Sequence, residues 1–172
     1  MPDMLVPLLK LPPLEPLLSE MRAQGVVIRR AHPFEIAPIY KFIASNFLTR
    51  WADEVLPCYS RQPISLFIAI RDGEVIGFGA YEAVCRNFFG PTGVLEKERG
   101  KHIGKALLVA CMHGLREMGY VYGIIGGAGP TEFYAGAVGA TPIPDSVPGL
   151  YTDLLKTFRE HGAEDSGADE PT

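Results

Sequence analysis

The sequence predicts a single α/β domain, and three observations carry that prediction. Two apolar strand-like runs flank Asp72-Gly73, a strong hairpin signal. From Phe88 to Ile125 a strand, a long amphipathic helix and a second strand follow one another, the pattern of a βαβ unit with parallel strands. The chain has 172 residues, 47% of them apolar, which suffices for one buried core and is too short for two ordinary enzyme domains.

The elements follow in order. Leu14, Leu17, Leu18 and Met21 recur at helical spacing, so a short helix is expected to start near Pro13 and end at Gly25. Residues 1–24 read as an N-terminal helical extension whose apolar stripe packs on its own domain, with a homodimer contact as the alternative. Val26-Val27-Ile28-Arg29-Arg30 reads as a strand. Helices are expected from Pro33 to Phe47 and from Trp51 to Tyr59, then strands at Leu66–Ile70 and Val75–Tyr81 and another through Phe88 and Phe89 to Val94. The longest helix should run from Lys101 to Met118, with Ile103, Leu107, Leu108, Cys111, Leu115 and Met118 on one face and Gly119 as its C-cap. A buried strand is expected at Tyr120–Ile125, a short helix after Pro130, and a strand or helix from Gly149 to Leu155.

Charge and cysteine content narrow the functional classes. The net charge of −4 equals that of residues 159–172 alone, where five acids face one arginine, so residues 1–158 are neutral. A neutral body has no general attraction for nucleic acid or anionic membrane. The acidic stretch 158–172 is expected to be disordered. Three cysteines without a CxxC pair fit neither a disulfide framework nor a zinc site, and His32, His102, His113 and His161 lack metal-ligand spacing, so no metal is expected. No signal peptide and no apolar run of membrane-spanning length is read from the sequence, which points to a cytoplasmic protein.

The chemistry concentrates between Val94 and Leu108. A strand ends there, a basic loop containing Gly100 follows, and a helix begins near Lys101. The first turn of a helix offers unpaired N–H groups and the positive end of its dipole, which together suit a phosphate. Gly104 permits close backbone approach, while Arg99, Lys101 and Lys105 add positive charge. The spacing is not that of a P-loop. Gly123 to Gly129 invites a dinucleotide reading, but the GxGxxG template fails at Glu132 and too little chain follows for a second βαβ half.

Here the chain resembles the GNAT superfamily of acetyl-CoA-dependent N-acetyltransferases. Arg99, His102 and Gly104 stand at the three positions of its [R/Q]-x-x-[G/A]-x-[G/A] signature, and Ile103-Gly104-Lys105-Ala106-Leu107-Leu108 continues in the family's manner. His102 departs from the small residue usual there. The hairpin, the βαβ unit and Glu132-Phe133-Tyr134 before Val138-Gly139-Ala140 arrive in the family's order. The resemblance implies a GNAT-like mixed, centrally splayed β-sheet flanked by helices, over residues 25–157.

The same resemblance implies the site. Pantetheine would lie in the splay, bonded to backbone groups of Thr92, Gly93 and Val94, with its pyrophosphate on Arg99, Gly100, Lys101, His102, Ile103, Gly104 and Lys105. A backbone N–H near a strand bulge would polarise the thioester carbonyl. Tyr134 stands where the family places the tyrosine that serves the leaving sulfur. No acid occurs from Asn87 to Val94, where the family's base is usual, so Glu82 and Glu132 are the candidate bases. Phe42, Phe47, Trp51, Asp53, Glu54 and Tyr59 fall where the fold lines its acceptor pocket. The implied function is acetyl transfer from acetyl-CoA, as cosubstrate, to a primary amine of a small molecule. Transfer to a protein N-terminus or lysine, and a CoA-binding module without turnover, are the alternatives.

Overall fold

Alternating side chains along the hairpin build two faces of one sheet. Leu66, Ile68, Phe78 and Ala80 point to one side and Ala69 and Ile76 to the other, all buried. The protein's structure, a computed structural model, describes residues 1–152 and 154–156; the acidic stretch expected to be disordered lies outside the described residues. The strands are β1 (Met4–Pro7), β2 (Val26–Arg30), β3 (Leu66–Arg71), β4 (Glu74–Tyr81), β5 (Phe88–Val94), β6 (Tyr122–Ile125) and β7 (Thr141–Pro142). They form one mixed sheet in the order β2-β3-β4-β5-β6-β1-β7, in which only β5 and β6 are parallel among the described residues. The helices are α1 (Leu14–Ala23), α2 (Ile36–Asn46), α3 (Thr49–Glu54), α4 (Ile103–Glu117) and α5 (Thr131–Val138).

The hairpin turn is made by Asp72 (φ 51°) and Gly73 (φ 80°), the left-handed pair that a two-residue turn between twisted strands requires. Helix α4 is the central pillar. Every residue from Ala106 to Met112 is buried, so its buried surface is wider than the single stripe expected, whereas Met118, just past the helix end, is exposed. Burying one such Leu contributes about 1.5–3 kcal/mol, against roughly 1 for an N-cap. The run therefore holds α4 in place although His102 makes no side-chain capping bond.

Helix α1 covers Val26, Ala69 and Ile76 together with α4. Its stripe therefore packs within the chain, and the carbonyl of Pro12 meets Nε2 of His113 at 2.9 Å. Helices α2 and α3 cover the opposite face over Leu66, Ile68 and Phe78.

Residues 1–24 differ from the purely helical extension read in the sequence. Met4–Pro7 form a strand inside the sheet, antiparallel to both β6 and β7. Met4, Val6 and Leu8 are fully buried against α4 and α5 residues. Asp3 then joins three segments. Its backbone N–H donates to Ser146 Oγ at 2.9 Å, its carbonyl accepts from Ile143 N at 2.8 Å, and its Oδ1 accepts from Gly127 N at 2.8 Å. The strand or helix expected from Gly149 is a single 3₁₀ turn, Gly149–Tyr151, entered at a glycine with φ 64°.

Candidate functional site

The parallel strands β5 and β6 pair only at Phe88 with Ile124 and Phe89 with Ile125, and then separate. On its other side β5 keeps pairing with β4, with Gly79 opposite Thr92 and Tyr81 opposite Phe89, so β5 carries one extra residue there. That bulge turns β5 away from β6 and opens the expected slot. The amide of Leu95 donates to Ile76 of β4 at 3.0 Å. Because backbone groups alternate along a strand, Val94 and Thr92 turn theirs away from β4 and toward the slot.

The slot continues into a cavity of about 1390 Å³ lined by β5, the start of α4, the loop after β6, α3, α5 and Val147, Pro148, Leu150 and Leu154. Ligand pockets usually span about 300–1,000 Å³, and this one exceeds that range. Thr92, Gly93 and Val94 line it, as do Arg99, Gly100, His102, Ile103, Gly104 and Lys105. The first hydrogen bond of α4 runs from Ala106 N to the His102 carbonyl at 3.0 Å, which leaves the amides of Ile103, Gly104 and Lys105 without helical acceptors. A Cβ on Gly104 would meet only Val94 Cγ2, at 3.7 Å. The helix start is thus open toward the cavity, and its amides can hold an anion.

Two residues of this loop stand differently from the sequence expectation. Lys101 does not line the cavity; its Nζ binds Glu98 Oε2 at 2.9 Å, so its charge is spent on a neighbour. His102 adopts a left-handed conformation (φ 63°), and its Nδ1 lies 2.7 Å from Glu20 Oε1 of α1. The ring is thereby engaged by α1, although the residue borders the cavity.

On the opposite side Tyr134 lies on α5, buried and lining the cavity, with its ring edge-on to Phe89 and Phe133. Burial pushes its phenol above the ordinary tyrosine value, so it keeps its proton at neutral pH. Glu132 is exposed on the same helix and borders the cavity.

Glu82, the other candidate base, is not brought to the cavity. It is 2% exposed, pairs with Arg61 at 3.3 Å and accepts the Asn87 amide, closing the connection between β4 and β5. The phenol of Tyr120 bonds it as well, which raises that phenol's pKa. Each of these charge-assisted bonds would have to break before it met a substrate.

Of the expected pocket segment, Trp51 and Glu54 line the cavity, together with Leu48 and Arg50, while Phe47 packs behind. A Cβ on Gly93 would lie 2.5 Å from the Phe47 ring, so this glycine is what lets the α2–α3 wall approach β5. Tyr40 of α2 donates to Asp53 at 2.9 Å outside the cavity. Arg50, whose Nε is buried without a hydrogen-bond partner, was not singled out from sequence. Its spacing of four from Glu54 was the available signal, but such pairs are common on any exposed helix.

The sequence model of the acetyltransferase (GNAT) family matches residues 33–128. Among curated proteins none matches the chain. Its fold is shared by many solved structures, three of which follow. The glucosamine N-acetyltransferase region of a fungal multi-domain β-N-acetylglucosaminidase superposes with a TM-score of 0.67 at 16% identity, covering 83% of this chain and 19% of that one. A GCN5-related N-acetyltransferase from Sphaerobacter thermophilus gives 0.61 at 20% identity, covering 83% and 48%. A GNAT family acetyltransferase from Brucella melitensis, in complex with acetyl-CoA, gives 0.51 at 21% identity, covering 63% and 79%. The chain thus spans under half the length of the first two.

Proposed function

The chain belongs to the acetyltransferase (GNAT) family, and from that premise we propose that it transfers the acetyl group of acetyl-CoA to a primary amine of a small molecule, by direct attack on the thioester. One observation carries the reading: strand β5 leaves β6 beside an open helix start, and both border one cavity. Backbone groups of Thr92 and Val94 hold the pantetheine arm as an added strand, and Gly93 between them lines its path. The open amides of Ile103, Gly104 and Lys105 take the pyrophosphate, with the Arg99 and Lys105 side chains supplying charge beside them. Tyr134 donates its proton to the departing thiolate; with a reference pKa of about 10 raised further by burial, it is protonated when the sulfur leaves. Val84, Phe133, Val147 and Pro148 add walls beyond the sheet, which supports a small acceptor over a folded protein surface.

The test separates binding from folding. Acetyl-CoA should raise the thermal midpoint of the protein, and NAD should not. Gly104→Val should keep the unliganded fold, since only Val94 stands near, and lose most of the acetyl-CoA shift. A full shift in that variant would remove the pyrophosphate assignment. Release of CoA with a panel of small amines, and not with peptides bearing free N-termini or lysines, checks the acceptor.

A further inference from the structure

Three carboxylates border the cavity among the described residues: Glu54, Glu98 and Glu132. Glu98 is held by Arg71 and by Lys101 Nζ at 2.9 Å, and these bonds keep its carboxyl below the usual range. Glu132 stands in solvent. Glu54 differs from both: its side chain is 22% exposed, and its ion pair to Arg50 Nε is loose at 3.9 Å, beyond hydrogen-bond distance.

Glu54 also lies on the right wall. The ring of Phe47 stands against Gly93, Trp51 stacks on Phe47 at 6.2 Å, and Glu54 follows Trp51 by three residues, on the same face of α3. Trp51 and Glu54 border the same cavity as Thr92, Gly93 and Val94, the stretch of β5 that has parted from β6. We propose that Glu54 is the group that takes the proton from the acceptor's ammonium, an inference that rests on the acetyl-transfer reading above.

The protons balance. An ammonium carries three and the product amide keeps one. The Glu54 carboxylate takes the first and passes it to solvent, which frees the nitrogen lone pair. The nitrogen bonds to the thioester carbon and the C–S bond breaks. Tyr134 gives its O–H proton to the sulfur and recovers one from the nitrogen.

Burial raises the Glu54 carboxyl above its ordinary value, which brings it closer to the amine it must deprotonate. Two charged groups act on it, both from α3: Arg50 favours the carboxylate and Asp53 disfavours it.

The experiment compares pH profiles of kcat/KM for the best amine in wild type, Glu54→Gln and Glu132→Gln. Wild type should show an acidic limb above the ordinary carboxylate range, then a plateau. Glu54→Gln should lose about 100-fold or more at pH 7, within the span of general-base effects. Its rate should then climb about tenfold per pH unit toward the amine's own pKa, because only free amine reacts. Its KM for acetyl-CoA and its acetyl-CoA thermal shift should stay within about twofold of wild type.

Wild-type turnover with an unchanged profile in Glu54→Gln overturns the inference and leaves the acetyl-transfer reading standing. Loss of the acidic limb in Glu132→Gln alone also overturns it. Acetyl-CoA binding without turnover of any amine by wild type removes that reading, and the inference with it. Should Glu54→Gln fail to fold, Glu54→Asp decides: a slower enzyme with a displaced acidic limb supports the assignment, and an unmoved limb refutes it.

Discussion

The wall formed by β5 and the start of α4 carries open backbone groups, at Thr92 and Val94 and from Ile103 to Lys105, whereas the wall formed by α3, α5 and the segment of Val147, Pro148 and Leu150 offers its titratable groups as side chains, Glu54 and Tyr134 among them. Backbone amides cannot titrate or rotate away, and their directions are set once β5 bulges and α4 begins. A side-chain wall takes its chemistry from which residues happen to face inward. This difference explains why one half of the site follows a short motif and the other does not: strand-loop-helix geometry is local, while facing residues come from three separate segments.

The largest predicted effect tests the side-chain wall. Tyr134→Phe removes one oxygen and leaves the ring packing against Phe89 and Phe133. Turnover should fall about 10- to 1,000-fold while the acetyl-CoA thermal shift is retained. Steady-state rates beside thermal melts check this, and an unchanged rate would show that this wall does not serve the sulfur.

A second prediction concerns what supports that wall. Arg29 binds Glu35 at 2.6 Å, and Glu35 also accepts the His32 amide at 2.8 Å, fastening the entry to α2. The Arg29 bond is the main cause that brings the Glu35 carboxyl down to about 2. A depressed carboxyl adds stability above its unfolded value of roughly 4.3 and loses it as pH falls through the folded value. The thermal midpoint should therefore drop between about pH 4.5 and pH 2 more steeply in wild type than in Glu35→Gln. Parallel slopes would show that the clamp contributes nothing.

The smallest effect belongs to the backbone wall. His102→Gly relieves a left-handed conformation, worth about 1 kcal/mol, and removes an exposed pair with Glu20, worth about 0–1 kcal/mol. These nearly cancel, so the thermal midpoint should move by less than about 3 °C. Acetyl-CoA affinity, measured by calorimetry, should change less than about threefold, because the ring is engaged by Glu20 and the proposed phosphate donors are amides. A larger change would mean that the ring leaves Glu20 for the ligand.

Much of the fold was legible along the chain. The hairpin at Asp72-Gly73, the βαβ unit and the open start of α4 depend on turn chemistry, periodicity of two or 3.6, and glycine placement within a few residues. Such signals survive in a single sequence because their partners are near in the chain. Signals between distant residues do not. Nothing in Met4-Leu5-Val6-Pro7 indicates that it will lie between β6 and β7, since a strand of four residues is defined by partners more than a hundred positions away.

The same physics divided the candidate acids. Glu82 ends a strand in the sequence and reads as available, yet Arg61, Tyr120 and the Asn87 amide converge on it only in the folded chain. Lys101 and His102 read as phosphate ligands, and Glu98 and Glu20 claim their side chains. Glu54 sits in an unremarkable helical segment until the fold brings α3 and β5 to one cavity, with Phe47, at the end of α2, against Gly93. Local sequence specified the elements and the backbone cradle, because short-range sterics and hydrogen bonding suffice to make them. Tertiary packing decided which carboxylate remained loosely paired beside the slot, because burial and ion pairing depend on groups brought together from across the chain.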